Sequence, residues 1–238
     1  MKVDILAIGV HPDDVELCCS GTLFAHKDQG YTIGLLDLTR GELGTRGTAE
    51  IRMAEAAHAA KLLGARFRKN AGLADGFFEI NEASIRPIIE VVRFCQPQIV
   101  MANALRDRHP DHGRASTLIE QACFLAGLHR IETSYDGQKQ IRWRPKAIYH
   151  YIQDFQLTPD LVVDITAQMD RKMESVMAFK SQFYDPNSSE PASPISGKDF
   201  MEYVRSTATV MGRRIGAEYG EGFNVVRPVG VRDLVQLD

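Results

Sequence analysis

Apolar residues follow two patterns along the chain, short continuous runs and longer segments with helical spacing. Continuous apolar runs of about four to eight residues are typical of buried strands, and apolar residues three and four positions apart are typical of amphipathic helices. The runs predict strands over residues 3–10, 31–38, 65–68, 98–102, 147–152 and 161–164. Helices are predicted over residues 15–29, 49–63, 82–94, 111–128, 167–182 and 198–219, and a polar loop over 184–197.

The alternation of strands and helices indicates the fold class. Strands that are apolar throughout are buried on both faces, as in parallel sheets whose crossover helices cover both sides. The sequence therefore predicts an α/β fold of three layers, with a mostly parallel sheet between two layers of helices. The chain has 238 residues, of which 44% are hydrophobic, so a single domain over residues 1–238 is expected.

Charge and hydropathy limit the kinds of partner. The formal net charge is −3, which gives no overall basic field for a nucleic acid or an anionic membrane. No apolar stretch approaches the roughly 20 residues of a membrane span, and the amino-terminal apolar run contains an acid and leads into no cleavage site. We expect a soluble cytoplasmic protein that acts on a small molecule. Its four cysteines form no C-x-x-C pair and are expected to be reduced packing residues.

The tripeptide His-Pro-Asp occurs twice, each time after a predicted strand. The first copy begins at His11 after the first strand, and the second begins at His109 after the fourth. Ligands of parallel α/β sheets bind beyond the carboxyl ends of the strands, most often where the strand order reverses. If the first and fourth strands are neighbours, both copies face one crevice. A nucleotide is not expected there, because the first turn reads V-H-P-D-D rather than G-x-G-x-x-G and the chain has no P-loop.

Helix capping is the alternative explanation of both motifs. Pro12 and Pro110 suit the first turn of a helix, and Asp13 and Glu16 have the spacing of a capping box. Histidine is not a preferred capping residue, however, and two histidines directly before two helices are harder to explain in this way. Taken together, the two motifs favour a metal site.

The donor types limit the metal. Histidine and aspartate without thiolates suit Zn²⁺, with Fe²⁺ or another divalent first-row ion as the alternative, whereas Ca²⁺ and Mg²⁺ take more oxygen ligands. Four residues could close a tetrahedron around a structural ion, namely His11, Asp14, His109 and His112. A catalytic site would use only three of them, and the spacing leaves both arrangements open. In a catalytic site, the neighbouring carboxylate of Asp13 would be the natural base.

The motifs resemble those of the LmbE-like, or PIG-L, zinc de-N-acetylases. The similarity rests on H-P-D-D-V-E at 11–16, T-R-G-E-L-G-T-R-G-T at 39–48 and H-P-D-H at 109–112, together with K-S-Q-F-Y at 180–184 and G-A-E-Y-G-E-G-F at 216–223. It implies a Rossmann-like fold, a homo-oligomer and hydrolysis of an N-acetyl group to acetate and a free amine.

The resemblance also implies a role for each residue of the two motifs. The implied zinc ligands are His11, Asp14 and His112. Asp13 corresponds to the general base, and His109 to the residue that stabilises the oxyanion or protonates the amine. Asp111 corresponds to an orienting partner of His109.

Within this family, the motifs are most similar to those of the branch that deacetylates N-acetylglucosaminyl L-malate in bacillithiol synthesis. Guanidinium groups bind carboxylates through paired hydrogen bonds, so Arg52 and Arg108 are expected to bind the malate. Pairing with nearby acids such as Asp107 is the alternative for these arginines. Diacetylchitobiose, other amino sugars and thiol conjugates are alternative substrates. A phosphoester hydrolase and a non-catalytic module that binds a metal or small ligand on the same fold are alternative functions.

Overall fold

The computed structural model describes residues 1–236. The strands are β1 Ile5–Gly9, β2 Ile33–Asp37, β3 Arg68–Asn70, β4 Ile99–Ala102, β5 Ser134–Tyr135, β6 Gln138–Lys139, β7 Ala147–Tyr151, β8 Leu161–Asp164 and β9 Gly220–Val225. The α-helices are α1 Asp14–Asp28, α2 Ala49–Leu63, α3 Glu82–Cys95, α4 Pro110–Ala126, α5 Met169–Met177 and α6 Lys198–Arg213, with short 3₁₀ turns at Thr166–Gln168 and Leu234–Gln236.

Seven strands form the central sheet, in the order β3-β2-β1-β4-β7-β9-β8. Strands β1, β2, β3, β4 and β7 are parallel, and β9 runs antiparallel to both β7 and β8. The strand order reverses at β1, which pairs with β2 on one side and β4 on the other. The predicted α/β fold with a mostly parallel sheet is confirmed. Strands β1 and β4 are neighbours, which is the condition under which both His-Pro-Asp motifs face one crevice.

The side chains of β1 show why its sequence is apolar throughout. Leu6 and Ile8 pack into the cluster that α3 and α4 form on one face of the sheet. Ile5 and Ala7 pack into the cluster that α1 and α2 form on the other face. Because successive side chains of a strand point to opposite faces, a strand covered on both sides needs an apolar residue at every position.

The sequence-based prediction was wrong near the carboxyl-terminal end. The last helix was expected to continue to Tyr219, but α6 ends at Arg213 and β9 follows as an unpredicted strand. A Cβ atom at Gly220 would lie 2.8 Å from the backbone nitrogen of Gly212 and 2.7 Å from a methyl group of Val162. The strand therefore carries glycine where α6 approaches its backbone, and it lacks the apolar run that identified the other strands.

Smaller differences concern element ends and one hairpin. The third strand lies at 68–70 instead of 65–68, and α5 ends at Met177 instead of continuing to residue 182. The β5–β6 hairpin turns through Asp136 and Gly137, both with positive φ, and Asp-Gly is a common signal for such a turn.

Two further expectations concern membrane-spanning segments and the cysteines. Within residues 1–236, none of the helices combines the length and the apolar character that crossing a bilayer requires. All four cysteines in this part of the chain are free thiols, and three of them are buried.

Candidate metal-dependent active site

The two His-Pro-Asp motifs meet at the carboxyl ends of β1 and β4. They line a cavity of about 340 Å³ at the point where the strand order reverses, which is where ligands of parallel α/β sheets bind. Seven predicted site residues line this cavity, namely His11, Asp13, Asp14, Arg52, Arg108, His109 and His112. The eighth, Asp111, is fully buried behind them.

Helix capping accounts for part of the second His-Pro-Asp motif and does not account for the first. Asp13 occupies the N-cap position of α1, but its carboxylate is turned to Arg52. His109 does act as the N-cap of α4, since its ring Nδ1 accepts a hydrogen bond of 3.3 Å from the backbone N–H of Asp111. The expectation that histidine would not cap was therefore wrong for His109, while the capping explanation fails for Asp13.

Three predicted ligands converge within the cavity. Donor atoms of His11, Asp14 and His112 all lie within 4.8 Å of one another. Nε2 of His112 is 3.3 Å from Asp14 Oδ1, and Nδ1 of His11 is 3.9 Å from Asp14 Oδ2. Such a group of two imidazoles and one carboxylate is a known ligand set for catalytic zinc.

The outer nitrogens of both histidines are bound to carboxylates. Nε2 of His11 lies 3.0 Å from Asp75 Oδ1, and Nδ1 of His112 lies 2.6 Å from Asp107 Oδ2. Each carboxylate accepts a hydrogen bond from the ring nitrogen it faces, so in the neutral imidazole the lone pair lies on the inner nitrogen, which faces Asp14. Carboxylate partners that fix the tautomer in this way are typical of metal-binding histidines, so the residues fit a metal.

Amide groups hold Asp14 as a carboxylate. Asn103 Nδ2 donates to Oδ2 at 2.9 Å, and Gln153 Nε2 donates to Oδ1 at 3.2 Å. Burial alone would raise the pKa of Asp14, but His112 and His11 outweigh it and the pKa is lowered. Burial would likewise lower the pKa of His112, yet Asp14 and Asp107 raise that pKa to about 10. We call His11, Asp14 and His112 the cluster. The carboxylates of Asp14 and Asp107 strongly favour a positive charge there.

A second group of donors also lies within ligating distance, namely His11, His109 and Asp111. Its carboxylate is already engaged, because Asp111 accepts hydrogen bonds from Gly76 N at 2.8 Å and from Arg114 Nη1 at 2.9 Å. The nitrogen of His11 near this carboxylate is Nε2, at 3.9 Å, and that atom is paired with Asp75. The group around Asp14 is the better metal site.

His109 is held in one tautomer. Because its Nδ1 accepts a hydrogen bond, the proton of the neutral ring is on Nε2. Burial, and then the neighbouring His11 and His112, lower the pKa of His109, so the ring is neutral near pH 7 and keeps one N–H to donate. The predicted orienting role of Asp111 stays a prediction; the contact observed runs through its backbone, while its carboxylate binds Arg114.

Asp13 forms a buried ion pair beside the cluster. Its Oδ2 accepts a hydrogen bond of 2.6 Å from Nη2 of Arg52, and both side chains are buried. Burial raises the pKa of Asp13 by more than Arg52 lowers it. A carboxylate with a raised pKa is a stronger base, which suits proton abstraction near neutral pH.

The two predicted substrate-binding arginines differ in their surroundings. Arg52 is buried and bound to Asp13, whereas the side chain of Arg108 is about half exposed and pairs with Asp154 at 2.5 Å. Both line the cavity. Their role toward a substrate stays a prediction.

Sequence reasoning missed the supporting residues Asp75, Asn103 and Gln153, and weighed Asp107 only as an arginine partner. Asn103 directly follows β4, Gln153 follows β7, and Asp75 follows β3 by five residues. All belong to segments after the carboxyl ends of parallel strands, so listing the polar residues after every predicted parallel strand would have found them.

Loss of either carboxylate partner is expected to weaken metal binding. Asp107→Asn and Asp75→Asn should each lower Zn²⁺ affinity by about 10- to 100-fold, because the histidine loses the group that fixes its tautomer. Competition with a chelator of known affinity measures this. Asp154→Asn is the matched control, since Asp154 lines the same cavity but bonds to Arg108. Unchanged affinity in both variants would contradict the assignment of His11 and His112 as ligands.

Comparisons with known proteins bear on the family and the fold of the chain. The profile of the PIG-L family, described as GlcNAc-PI de-N-acetylase, matches residues 6–123. A conserved protein from Thermus thermophilus is 33% identical, with a TM-score of 0.85 and 98% of both chains covered. The N,N'-diacetylchitobiose deacetylase of Pyrococcus horikoshii shares the fold at 24% identity, with a TM-score of 0.77 over 93% of this chain and 83% of that one.

One relative has a different activity. The 4-oxalmesaconate hydratase of Pseudomonas putida is 25% identical over 199 residues, which cover 74% of this chain and 73% of the hydratase. The family profile covers both His-Pro-Asp motifs, and the Thermus likeness extends over nearly the whole chain. These likenesses show that the chain is an enzyme of the PIG-L family.

Proposed function

We propose that the protein hydrolyses the N-acetyl group of an N-acetylglucosaminyl conjugate, with zinc held by His11, Asp14 and His112. The observation that carries the proposal is the pair of carboxylates, Asp75 and Asp107, on the outer nitrogens of the two histidines. They direct two imidazole lone pairs toward Asp14, whose carboxylate completes the group of donors in the cavity. A divalent metal at that point supplies Lewis-acid chemistry, which polarises a carbonyl group and acidifies water.

The residues beside the cluster can supply the proton transfers of amide hydrolysis. One oxygen of Asp13 is paired with Arg52, and in the proposed reaction its other oxygen takes a proton from the attacking water. Water adds to the acetyl carbon while His109 donates its Nε2–H to the developing oxyanion. The proton collected by Asp13 then passes to the amide nitrogen as the C–N bond breaks, giving acetate and the free amine.

We propose further that the conjugate is N-acetylglucosaminyl L-malate, the substrate of the bacillithiol branch. A malate group carries two carboxylates, and Arg108 offers a half-exposed guanidinium at the cavity, held by a single acid. Asp154 accepts one hydrogen bond from Arg108, and a substrate carboxylate in its place would allow the paired charge-assisted hydrogen bonds that guanidinium favours. A neutral amino sugar would leave this arginine without a role in binding.

Arg108→Ala is expected to raise KM for the malate conjugate by about 10- to 100-fold, which corresponds to the free energy of one charge-assisted hydrogen bond. The KM for plain N-acetylglucosamine should change much less. The anion is remote from the reacting amide, so its binding is uniform through the reaction. Steady-state kinetics with both substrates measure this.

Arg106→Ala is the matched control for Arg108→Ala. Arg106 has the same charge and lies in the same segment, but its guanidinium stacks on Phe155. Arg52→Ala is less selective, since it also removes the partner of Asp13 and should lower kcat on both sugars. If Arg108→Ala lost activity equally on the neutral and the anionic substrate, the result would contradict the proposal that the substrate is an anionic conjugate.

Hydration of an unsaturated acid is the second candidate, favoured by the likeness to 4-oxalmesaconate hydratase. The same base and N–H donor could add water across a carbon–carbon double bond, with the arginines binding substrate carboxylates. An acetate assay and the loss of ultraviolet absorbance of a conjugated acid distinguish the two reactions.

The decisive experiment measures acetate release from a panel of N-acetylated sugars. The protein is assayed as purified, after removal of metal by a chelator, and after reloading with Zn²⁺ or Fe²⁺. Acetate release that disappears with the chelator and returns with the metal supports the proposal. A folded, metal-loaded protein that hydrates an unsaturated acid but releases no acetate would favour the hydratase, and one inactive in both assays would favour a binding module.

A further inference from the structure

The cavity continues past the metal cluster as an apolar arm. We call this the inner arm; it is lined by Leu17, Cys18, Ile152, Val204, Met211 and Gly222. Leu17 and Cys18 lie three and four residues after Asp14 on α1, so they share its helix face. The inner arm therefore begins at a metal ligand and extends along α1 for about one helical turn, or roughly 6 Å.

One face of α6 forms the roof of the cavity. The residues on this face follow helical spacing and are Phe200, Tyr203, Val204, Thr207 and Met211. They extend over about 16 Å of helix. Leu17 and Cys18 are the fourth and fifth residues of α1, and both keep part of their surface accessible. Leu17 also packs against the hydrophobic cluster that contains Val204, so the space between the two helices is the cavity that these residues line.

A buried ion pair closes the inner end. Lys172 Nζ donates to Glu221 Oε1 at 2.7 Å and also to the backbone oxygens of Leu17 and Glu16, at 2.5 and 3.3 Å. Glu221 in turn accepts hydrogen bonds from the backbone of α1, at Gly21 and Thr22. Every ammonium hydrogen of Lys172 is thereby used, so this wall has no cation to offer a polar or anionic ligand.

The remaining walls are mostly apolar, and Thr207 of α6 is the polar exception. Burial raises the pKa of the Cys18 thiol well above its ordinary value, so the thiol stays neutral and behaves as a small hydrophobic group. A sugar, which needs many hydrogen-bond partners, does not suit such a surface. Polar side chains line other parts of the cavity, among them Thr45, Arg108 and Asp154.

A substrate amide placed at the cluster divides the cavity into a polar and an apolar part. We propose that the inner arm binds the acyl group of the substrate, and that the enzyme hydrolyses N-acyl sugars with unbranched chains of about four to six carbons, which fit its depth, as well as N-acetyl sugars. The inference rests on the proposed amide hydrolysis. The reaction is unchanged, since water adds to the acyl carbon, the C–N bond breaks, and a longer carboxylic acid leaves with the amine.

The test compares N-acetyl-, N-butanoyl- and N-hexanoylglucosamine with the zinc-loaded protein. Each methylene buried in the inner arm should raise kcat/KM by up to about fourfold, so the longer chains are expected to be better substrates than acetyl. Hexanoate should also bind more tightly than acetate in calorimetry, which tests the inner arm without turnover. A butanoyl or hexanoyl sugar hydrolysed at least tenfold more slowly than the acetyl sugar would overturn the inference.

Variants of the roof test the location of the chain. Val204→Phe should fill the inner arm and lower the ratio of hexanoyl to acetyl activity by at least about tenfold, since the lost space and methylene contacts affect the longer chain most. Val204→Ala should shift the preference toward chains longer than hexanoyl, and it tests the same position if the larger residue impairs folding. Val210→Phe is the control, because Val210 is exposed on α6. A ratio that stays constant in both Val204 variants would contradict the location.

The result on the acetyl sugar separates the two proposals. If the metal-loaded protein hydrolyses no N-acyl sugar, the proposed amide hydrolysis fails and this inference fails with it. If the protein hydrolyses the acetyl sugar but rejects longer chains, the proposed function stands and the inner arm has been assigned wrongly.

Discussion

Asp13→Asn is expected to keep the metal and to lower kcat by at least about 100-fold, the usual effect of removing a general base. Its neighbour Asp14 should behave differently. Asp14 faces both histidines of the cluster, so Asp14→Ala removes a ligand and should empty the site. Metal content by atomic spectroscopy and turnover of the acetylated sugar, measured on the same samples, separate the two roles.

The contrast depends on the buried partner of Asp13. An asparagine oxygen still accepts the hydrogen bond from Arg52, so Asp13→Asn removes the proton acceptor and keeps the local contact. Thermal unfolding of the variant checks that the fold is retained. Equal loss of metal in both variants would show that Asp13 is itself a ligand and that the base lies elsewhere.

The same contrast is expected for the two histidines of the second motif. His112→Ala should release the metal, because Nε2 of His112 faces Asp14 while Nδ1 is fixed by Asp107. His109→Ala should keep the metal and lower kcat by about 100- to 1,000-fold, the range found when one oxyanion donor is removed.

The role of His109 in capping α4 requires a second variant. His109→Ala also removes the acceptor for the backbone N–H of Asp111, which is expected to cost about 1 kcal/mol of stability. Asparagine is a preferred N-cap, so His109→Asn should restore the cap without restoring the ring N–H. If His109→Asn recovered both stability and rate, the contribution of His109 would be structural. A metal-loaded His112→Ala protein would mean that the two histidines have exchanged roles.

The sequence allowed prediction of those parts of the site that depend on short-range pattern. Strand β1 is apolar at every position because helices cover both faces of the sheet, and its end therefore located His11. The neighbouring arrangement of β1 and β4 followed from the rules of parallel sheets. Convergence of the two motifs was a consequence of this topology.

Other features depend on contacts that no local pattern records. Asp75 reaches His11 across 64 residues of sequence, and the pairing of Arg52 with Asp13 depends on how α2 lies beside α1. Strand β9 was missed because its glycines serve the close approach of α6 rather than the burial of side chains. In each case the contact is set by the packing of distant segments, and the local sequence does not indicate which segment will be the neighbour.

The walls of the inner arm have a consequence for how the enzyme could diversify. The proposed metal ligands, base and N–H donor all come from the first half of the chain, whereas the walls formed by α6, β9 and Lys172 come from the second half. Mutations in the later segment can therefore reshape what the cavity admits while the reactive groups keep their positions. Substrate specificity and reaction chemistry can therefore evolve independently. New substrates can be accepted through gradual mutation of the helix that covers the cavity.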